Sequence, residues 1–284
     1  MTVVTGASIA PPPRCPSSLR ASRDTIIAAT DRFAQVRTRL TDLGYGKPFC
    51  GPPLDRVRGS LRDQAESLAR AAVQRVRDAG HEPTDPDLAD ILEEVFGLDL
   101  AVVHTPSWFD AAAWSDEWAK VIVVGTSPWP GRQRYAMAHS LCHLLADGER
   151  GLHVDADMES PAPERHDSEV RANAFADAFL MPEDTLRSAV ACADWGQEAF
   201  AALSLRLGLP PCAAARRLQD LGMGDPQQRA AWKDLSGPEA AVIAGGTEAF
   251  ATRCRAAETA RPPARLVHDT WQASADGRAL DPQG

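Results

Sequence analysis

The sequence predicts a mostly helical α+β protein with a small sheet, and three observations lead there. Apolar residues recur at helical spacing through most of the 284-residue chain. Two short Val-rich runs, residues 98–104 and 120–126, are bounded by Gly, Pro or Ser in the manner of strands. The composition, 44% hydrophobic and 24% charged, is that of an ordinary globular protein and excludes a wholly disordered or fibrous chain.

Residues 1–22 are rich in Pro, Ser and Thr and read as a disordered leader. A first helix is expected over 23–43, because Ile26, Ile27, Phe33, Val36, Leu40 and Leu43 recur at helical spacing and Gly44 can end it. The Gly- and Pro-rich stretch 45–53 is a connector. A second helix fits 61–79, with Ser60 and Asp63 as a capping pair, Leu68, Ala72, Val73 and Val76 as its apolar stripe, and Gly80 as its stop. A third helix runs from Pro86 to Gly97 and leads into the first strand. Trp108, Trp114 and Trp118 fall between the two strands; such a cluster can be a binding surface, although tryptophans in a strand connection more commonly serve as core or half-buried cover. Helix returns over 131–146, and a loop rich in Gly, Asp and Pro follows over 147–163. Further helices are expected over 165–180, 183–193, 197–206 and 210–221, then over 238–257 and 264–273.

No run approaches the roughly 18 uninterrupted apolar residues of a membrane-spanning helix. The Pro-rich start lacks the basic-then-apolar order of a secretory signal, so a cytoplasmic location is expected, with the six scattered cysteines as reduced thiols. The net charge of −9 is unevenly divided. Residues 1–60 hold nine Arg or Lys against four Asp, a surplus of +5, which leaves −14 on the remainder. An acidic body is a poor general nucleic-acid binder, and a membrane partner has no support.

The most informative motif is His139-Ser140-Leu141-Cys142-His143. Histidines four apart on a helix share one face and are neighbours across a single turn, which is how a helix presents two nitrogen ligands to one Zn²⁺ ion. The same spacing is met by two histidines that merely pack on a helix face. A second motif raises the odds: Glu169 and Asn173 stand four apart at the start of the following helix, where a carboxylate can supply a third ligand and an amide can orient a ligating histidine. Taken alone, Glu169 is more readily read as an exposed acid near the positive end of a helix dipole.

Residues 132–139, the paired histidines, Glu169-x-x-Ala172-Asn173-x-Phe175-Ala176 and the closing Leu180-Met181-Pro182 together resemble the ImmA/IrrE family of zinc metallopeptidases, over about residues 60–220. The resemblance implies a zincin-like metallopeptidase core of the thermolysin type, with His139, His143 and Glu169 as zinc ligands and Asn173 supporting them. It implies that the strand at 121–124 borders the cleft, where an extended peptide could add by backbone pairing. It also implies a regulatory protein or peptide as substrate or partner, such as a helix-turn-helix repressor. On this reading the chain divides into a leader (1–22), a helical extension and linker (23–58), the ImmA/IrrE-like domain (59–224) and a C-terminal helical region (225–284).

One departure bears directly on activity. The family pattern is His-Glu-x-x-His, whose Glu takes a proton from the attacking water and passes it to the leaving amine. Here that position is Ser140. A serine hydroxyl is no base near neutral pH, so the expectation is a metal-binding relative that is a weak peptidase or a pseudoenzyme. Asp147 lies too far along the helix to replace the Glu directly, while Asp155, Asp157, Glu159 and Glu164 occupy the loop that follows. Cys142 stands where the family usually has Gly and is read as a packing residue rather than a ligand; His153 and His166 are read as solvated, with a contact to a substrate carbonyl left open. The alternative function is a helix-turn-helix DNA-binding regulator formed by residues 201–222, with Arg216 and Arg217 on its second helix.

Overall fold

The computed structural model describes residues 16–52, 59–105, 111–147, 151–155, 167–192 and 195–278. Its centre is a four-stranded sheet of β1 (Asp99–Val103), β2 (Ala111–Ser115), β3 (Lys120–Gly125) and β4 (Gly151–Asp155), in the order β1-β3-β2-β4. β1 runs parallel to β3, and β2 is antiparallel to both β3 and β4.

The period of two along each strand divides the sheet cleanly. Ala101, Ala112, Val121 and Val123 lie on one face and pack with Ile26 and Ala34 of α1 (Pro16–Asp42). Leu100, Val102, Ala111, Ala113, Ile122 and Val124 lie on the other and join the larger core that holds α4 (Pro130–Ala146). Register keeps the two sets apart: Leu100, Ile122 and Ala113 are paired across three strands, as are Ala101, Val123 and Ala112. A sheet covered on both faces accounts for the near-continuous apolar runs in β1 and β3.

Behind α4, helix α5 (Asp167–Leu180) packs against both α4 and α2 (Leu61–Asp78). The capping box expected at Ser60 and Asp63 starts α2. Small residues line the approach, Ala65, Ala69 and Ala72 on α2 and Ala172 and Ala176 on α5, all fully buried. Phe175 and Phe179 stack with ring centroids 5.5 Å apart. α3 (Leu88–Phe96) enters the same core and ends at Gly97, while α6 (Glu183–Val190), α7 (Gln197–Leu207), α8 (Pro211–Asp220) and α9 (Pro226–Trp232) close it on the far side.

Several expectations change. β2 was read as part of a strand connection, yet its Ala-Ala-Ala start has little intrinsic strand preference and becomes a strand because β3 and β4 pair with it. β4 falls in the predicted 147–163 loop for the same reason. Trp114 is a half-buried residue of β2 whose indole donates to Asp116, Trp118 is exposed, and Trp108 lies outside the described residues. α1 begins at Pro16, inside the segment read as a leader. The single helix expected over 238–257 is two, α10 (Gly237–Ile243) and α11 (Thr247–Ala257), because Gly245 turns the chain at a φ of +66°. α9 went unread because seven residues carry too little periodicity, although Asp225 caps it and Pro226 begins it.

The strand at 121–124 cannot accept an added peptide, since β3 is enclosed by β1 and β2 on its two sides. The outer edge of β1 is bridged by Arg261, whose N–H and carbonyl pair with those of Val102. β4 is the other edge. Among the described residues no helix is long and apolar enough to cross a membrane.

One ion cluster ties the two ends of the chain to the sheet. Arg37 of α1 donates from Nε and Nη2 to the two carboxylate oxygens of Asp99 on β1, at 2.6 and 2.7 Å. Its Nη1 donates to Asp269 of α12 (Ala264–Ala275) at 2.7 Å. The side chains of Arg37 and Asp99 are only 6% and 2% exposed, so removing the cation leaves a buried carboxylate uncompensated. Arg37→Ala is expected to cost about 3–5 kcal/mol of stability, read as a lowered urea midpoint with an unchanged slope.

Candidate metal centre

α4 is buried on nearly every face, so the polar residues it carries are inside the protein rather than on a wet surface. His139 is fully buried and His143 is 4% exposed. Because the two sit one turn apart, their Nε2 atoms come within 3.0 Å of each other. α5 crosses beside them and brings Glu169, whose Oε2 lies 3.2 Å from His139 Nε2 and whose Oε1 lies 3.6 Å from His143 Nε2. The three residues expected as ligands are thus brought together, and they form a group able to hold a metal ion.

The separations suit zinc. Four donors at about 2.0–2.1 Å from a tetrahedral ion stand about 3.3 Å apart, close to the 3.0 Å between the two histidine nitrogens and the 3.2 Å from His139 to Glu169 Oε2. Proton placement points the same way. His139 Nδ1 lies 3.1 Å from Asn173 Oδ1, and His143 Nδ1 lies 2.5 Å from Asp147 Oδ2. Each Nδ1 faces an acceptor, the arrangement in which a neutral ring presents its lone pair inward at Nε2. Two lone pairs and a carboxylate converging at such range repel one another unless a cation lies between them.

Each histidine is held by a different device. Asn173, one turn after Glu169 on α5, takes the supporting position expected of it, and the Tyr135 hydroxyl donates to its carbonyl oxygen at 3.1 Å. Tyr135 in turn precedes His139 by one turn of α4, so amide, phenol and imidazole form one chain across the two helices. His143 is supported by Asp147, the C-cap residue of α4, which forms an ion pair with Arg171 of α5. Sequence reasoning considered Asp147 only as a replacement base; the structure instead places it behind the second histidine. The signal was available as a second i, i+4 step, His143 to Asp147, whereas its partner Arg171 could be found only from the packing of the helices.

His153, expected to be solvated, keeps a 37% exposed side chain and is at the same time in contact with the converging group. It lies on β4, with its ring centroid 3.7 Å from that of His143 and its Nε2 3.1 Å from Glu169 Oε1. Ser140 is fully buried on α4. Cys142 is also fully buried and is not part of the converging group; burial pushes its thiol up to about 12, and a hydrogen bond from Arg171 opposes this only in part. Asp157, Glu159, Glu164 and His166 lie outside the described residues, and Asp155 is the last residue of β4.

Residues 103–219 match the family model of the IrrE N-terminal-like domain, a peptidase family. This segment is similar to the ImmA/IrrE family. No curated protein gives a match to the chain. The ImmA/IrrE-type segment begins at the end of β1 and includes β2, β3, β4, α4 and α5, hence every residue of the converging group. It leaves out α1 and α2, although α2 packs directly on α5 and α1 covers one face of the sheet.

Two outcomes are expected. Asp147→Ala should weaken zinc binding about 10- to 100-fold in a chelator competition, with the helical circular dichroism retained, because His143 loses the acceptor that fixes its tautomer. Under native conditions Cys142 should resist a thiol reagent that labels the exposed Cys50, Cys192 and Cys212, and should react only on unfolding.

Proposed function

We propose that this protein is a zinc-binding relative of the ImmA/IrrE peptidases with weak or absent hydrolytic activity, acting in regulation by binding or cleaving a repressor-type protein. The observation that carries the reading is a contrast within one helix. His139 and His143 stand with Glu169 at ligand separations, each histidine with its own orienting acceptor, while Ser140 occupies the position of the family's proton-transferring Glu.

When bound, zinc supplies Lewis acidity toward a peptide carbonyl and an attacking water. The residues of this chain account for the rest. His139, His143 and Glu169 provide three donors and leave a fourth position for a carbonyl or water, as catalytic rather than structural zinc sites do. Asn173 and Asp147 hold the two ring protons away from the metal. No carboxylate stands between the histidines to take the proton of an attacking water, and general base assistance of that kind is worth about 10²- to 10⁴-fold in rate. A chain with this set retains the means to bind a peptide near a metal and lacks the usual means to cut it quickly. A protein partner can also approach the sheet at β4, the edge next to the site.

The helix-turn-helix alternative is disfavoured by the state of its second helix. Arg217 of α8 is buried and donates to Glu66 at 3.0 Å, and Arg216 pairs with Asp177 at 3.4 Å. Both cations that would meet phosphate pair with acids of the protein itself, Arg216 while 59% exposed, and Ala213, Ala214, Ala215 and Leu218 are buried.

The test measures bound metal in the purified protein and compares parent with Ser140→Glu on a candidate helix-turn-helix repressor. Close to one zinc per chain is expected in the parent and a large loss in His139→Ala. Ser140→Glu, if it folds, should cleave about 10²- to 10⁴-fold faster than the parent. A parent that cleaves as fast as Ser140→Glu overturns the loss of catalysis, and a parent without affinity for zinc overturns the metal centre.

A further inference from the structure

The edge strand β4 is five residues long and, among the described residues, pairs with a single neighbour, β2. A strand so short, with one side unpaired, has little stability of its own. Alternation gives its two central residues opposite tasks. His153 is opposite Ala113, whose side chain faces the α4 core, and Val154 is opposite Ala112, whose side chain faces α1. Val154 accordingly packs into the cluster under α1, and the His153 ring is directed to the metal centre.

There His153 meets two of the three candidate ligands. Its ring lies on that of His143 at a centroid distance of 3.7 Å and an interplanar angle of 32°. Its Nε2 and Glu169 Oε1 are at hydrogen-bond distance, 3.1 Å, while Glu169 Oε2 is the oxygen nearer His139 Nε2, at 3.2 Å. Since a carboxylate oxygen only accepts, the Nε2 of His153 is the donor in this contact. Oε1 of Glu169 is thereby held by His153, at 3.6 Å from His143 Nε2, and Oε2 is the oxygen directed at His139.

We propose that His153 is a positioning residue that joins strand β4 to the metal centre, so that metal binding and the order of the sheet edge are coupled. The proposal rests on the zinc-centre reading above. His153 holds Glu169 as a single-oxygen ligand, completing a set in which Asn173 orients His139, Asp147 orients His143 and His153 orients Glu169. Coupling runs both ways: what His153 contributes to metal affinity, the bound metal returns as stability of β4. In a relative without the family's base, the ion then serves to hold the edge of the sheet in shape for a partner.

The test combines amide hydrogen exchange with metal binding in the full chain, using zinc alone as the ligand. At saturating zinc, exchange in a peptide covering residues 151–155 should slow at least about tenfold relative to the metal-free parent. His153→Ala should lose this zinc-dependent slowing and bind zinc about 10- to 100-fold more weakly by chelator competition. His153→Gln, which keeps an N–H donor at similar reach, should recover most of both. With Co²⁺ as the probe, the visible absorption of His153→Ala should differ from the parent, as Glu169 is released to bind through both oxygens, and that of His153→Gln should resemble the parent. If the parent binds zinc but β4 exchange does not respond, or if His153→Ala retains the response, the coupling is overturned while the zinc centre stands. Failure of the parent to bind zinc overturns both.

Discussion

The metal centre depends on two helices being held close enough for their polar residues to meet. His139 and His143 come from α4 and Glu169 from α5, and the three donor groups lie 3.0–3.6 Å apart only because the helix axes approach closely. Ala172 and Ala176 on α5, packed toward the alanines of α2, and the stacked Phe175 and Phe179 secure that approach from the apolar side. The polar side resists it where two imidazole lone pairs and a carboxylate meet, with both histidines buried and Glu169 partly open to solvent. Packing therefore provides the geometry, and a cation is what makes the geometry comfortable.

Charge around the centre is arranged with some economy. A neutral amide orients one histidine and a carboxylate the other, and the carboxylate is itself balanced by Arg171. The thiol of Cys142, one residue from His143, is fully buried and lies outside the converging group. Ser140 lies fully buried on α4 between the two histidines of this converging group. His139, His143 and Ser140 share one five-residue segment, and Glu169 comes from α5.

The sheet carries the centre because both of its faces are covered. α4 lies on one face and α1 on the other, and the Arg37, Asp99 and Asp269 cluster joins α1 and α12 to the start of β1. Helices at opposite ends of the chain thus stabilise the strand that leads into the ImmA/IrrE-type segment. β4, at the far edge, brings His153 into contact with the ligands and Val154 into the core beneath α1, so the least-paired strand touches both layers.

The sequence by itself determined whatever depends on neighbours along the chain. Helical periodicity located most of the helices, Ser60 and Asp63 announced the start of α2, and the i, i+4 steps from His139 to His143 and from Glu169 to Asn173 identified the candidate ligands and their amide support. Tertiary structure alone decided whatever depends on pairing between distant segments. An Ala-rich β2 and a Gly-started β4 have no strand signal of their own and exist through their partners. Arg171 reaches Asp147 across a helix interface, and His153 reaches Glu169 from a strand that the sequence presents as a loop. Local rules act over a few residues through backbone sterics and helix geometry, whereas these contacts form only after the core has chosen which faces to bury.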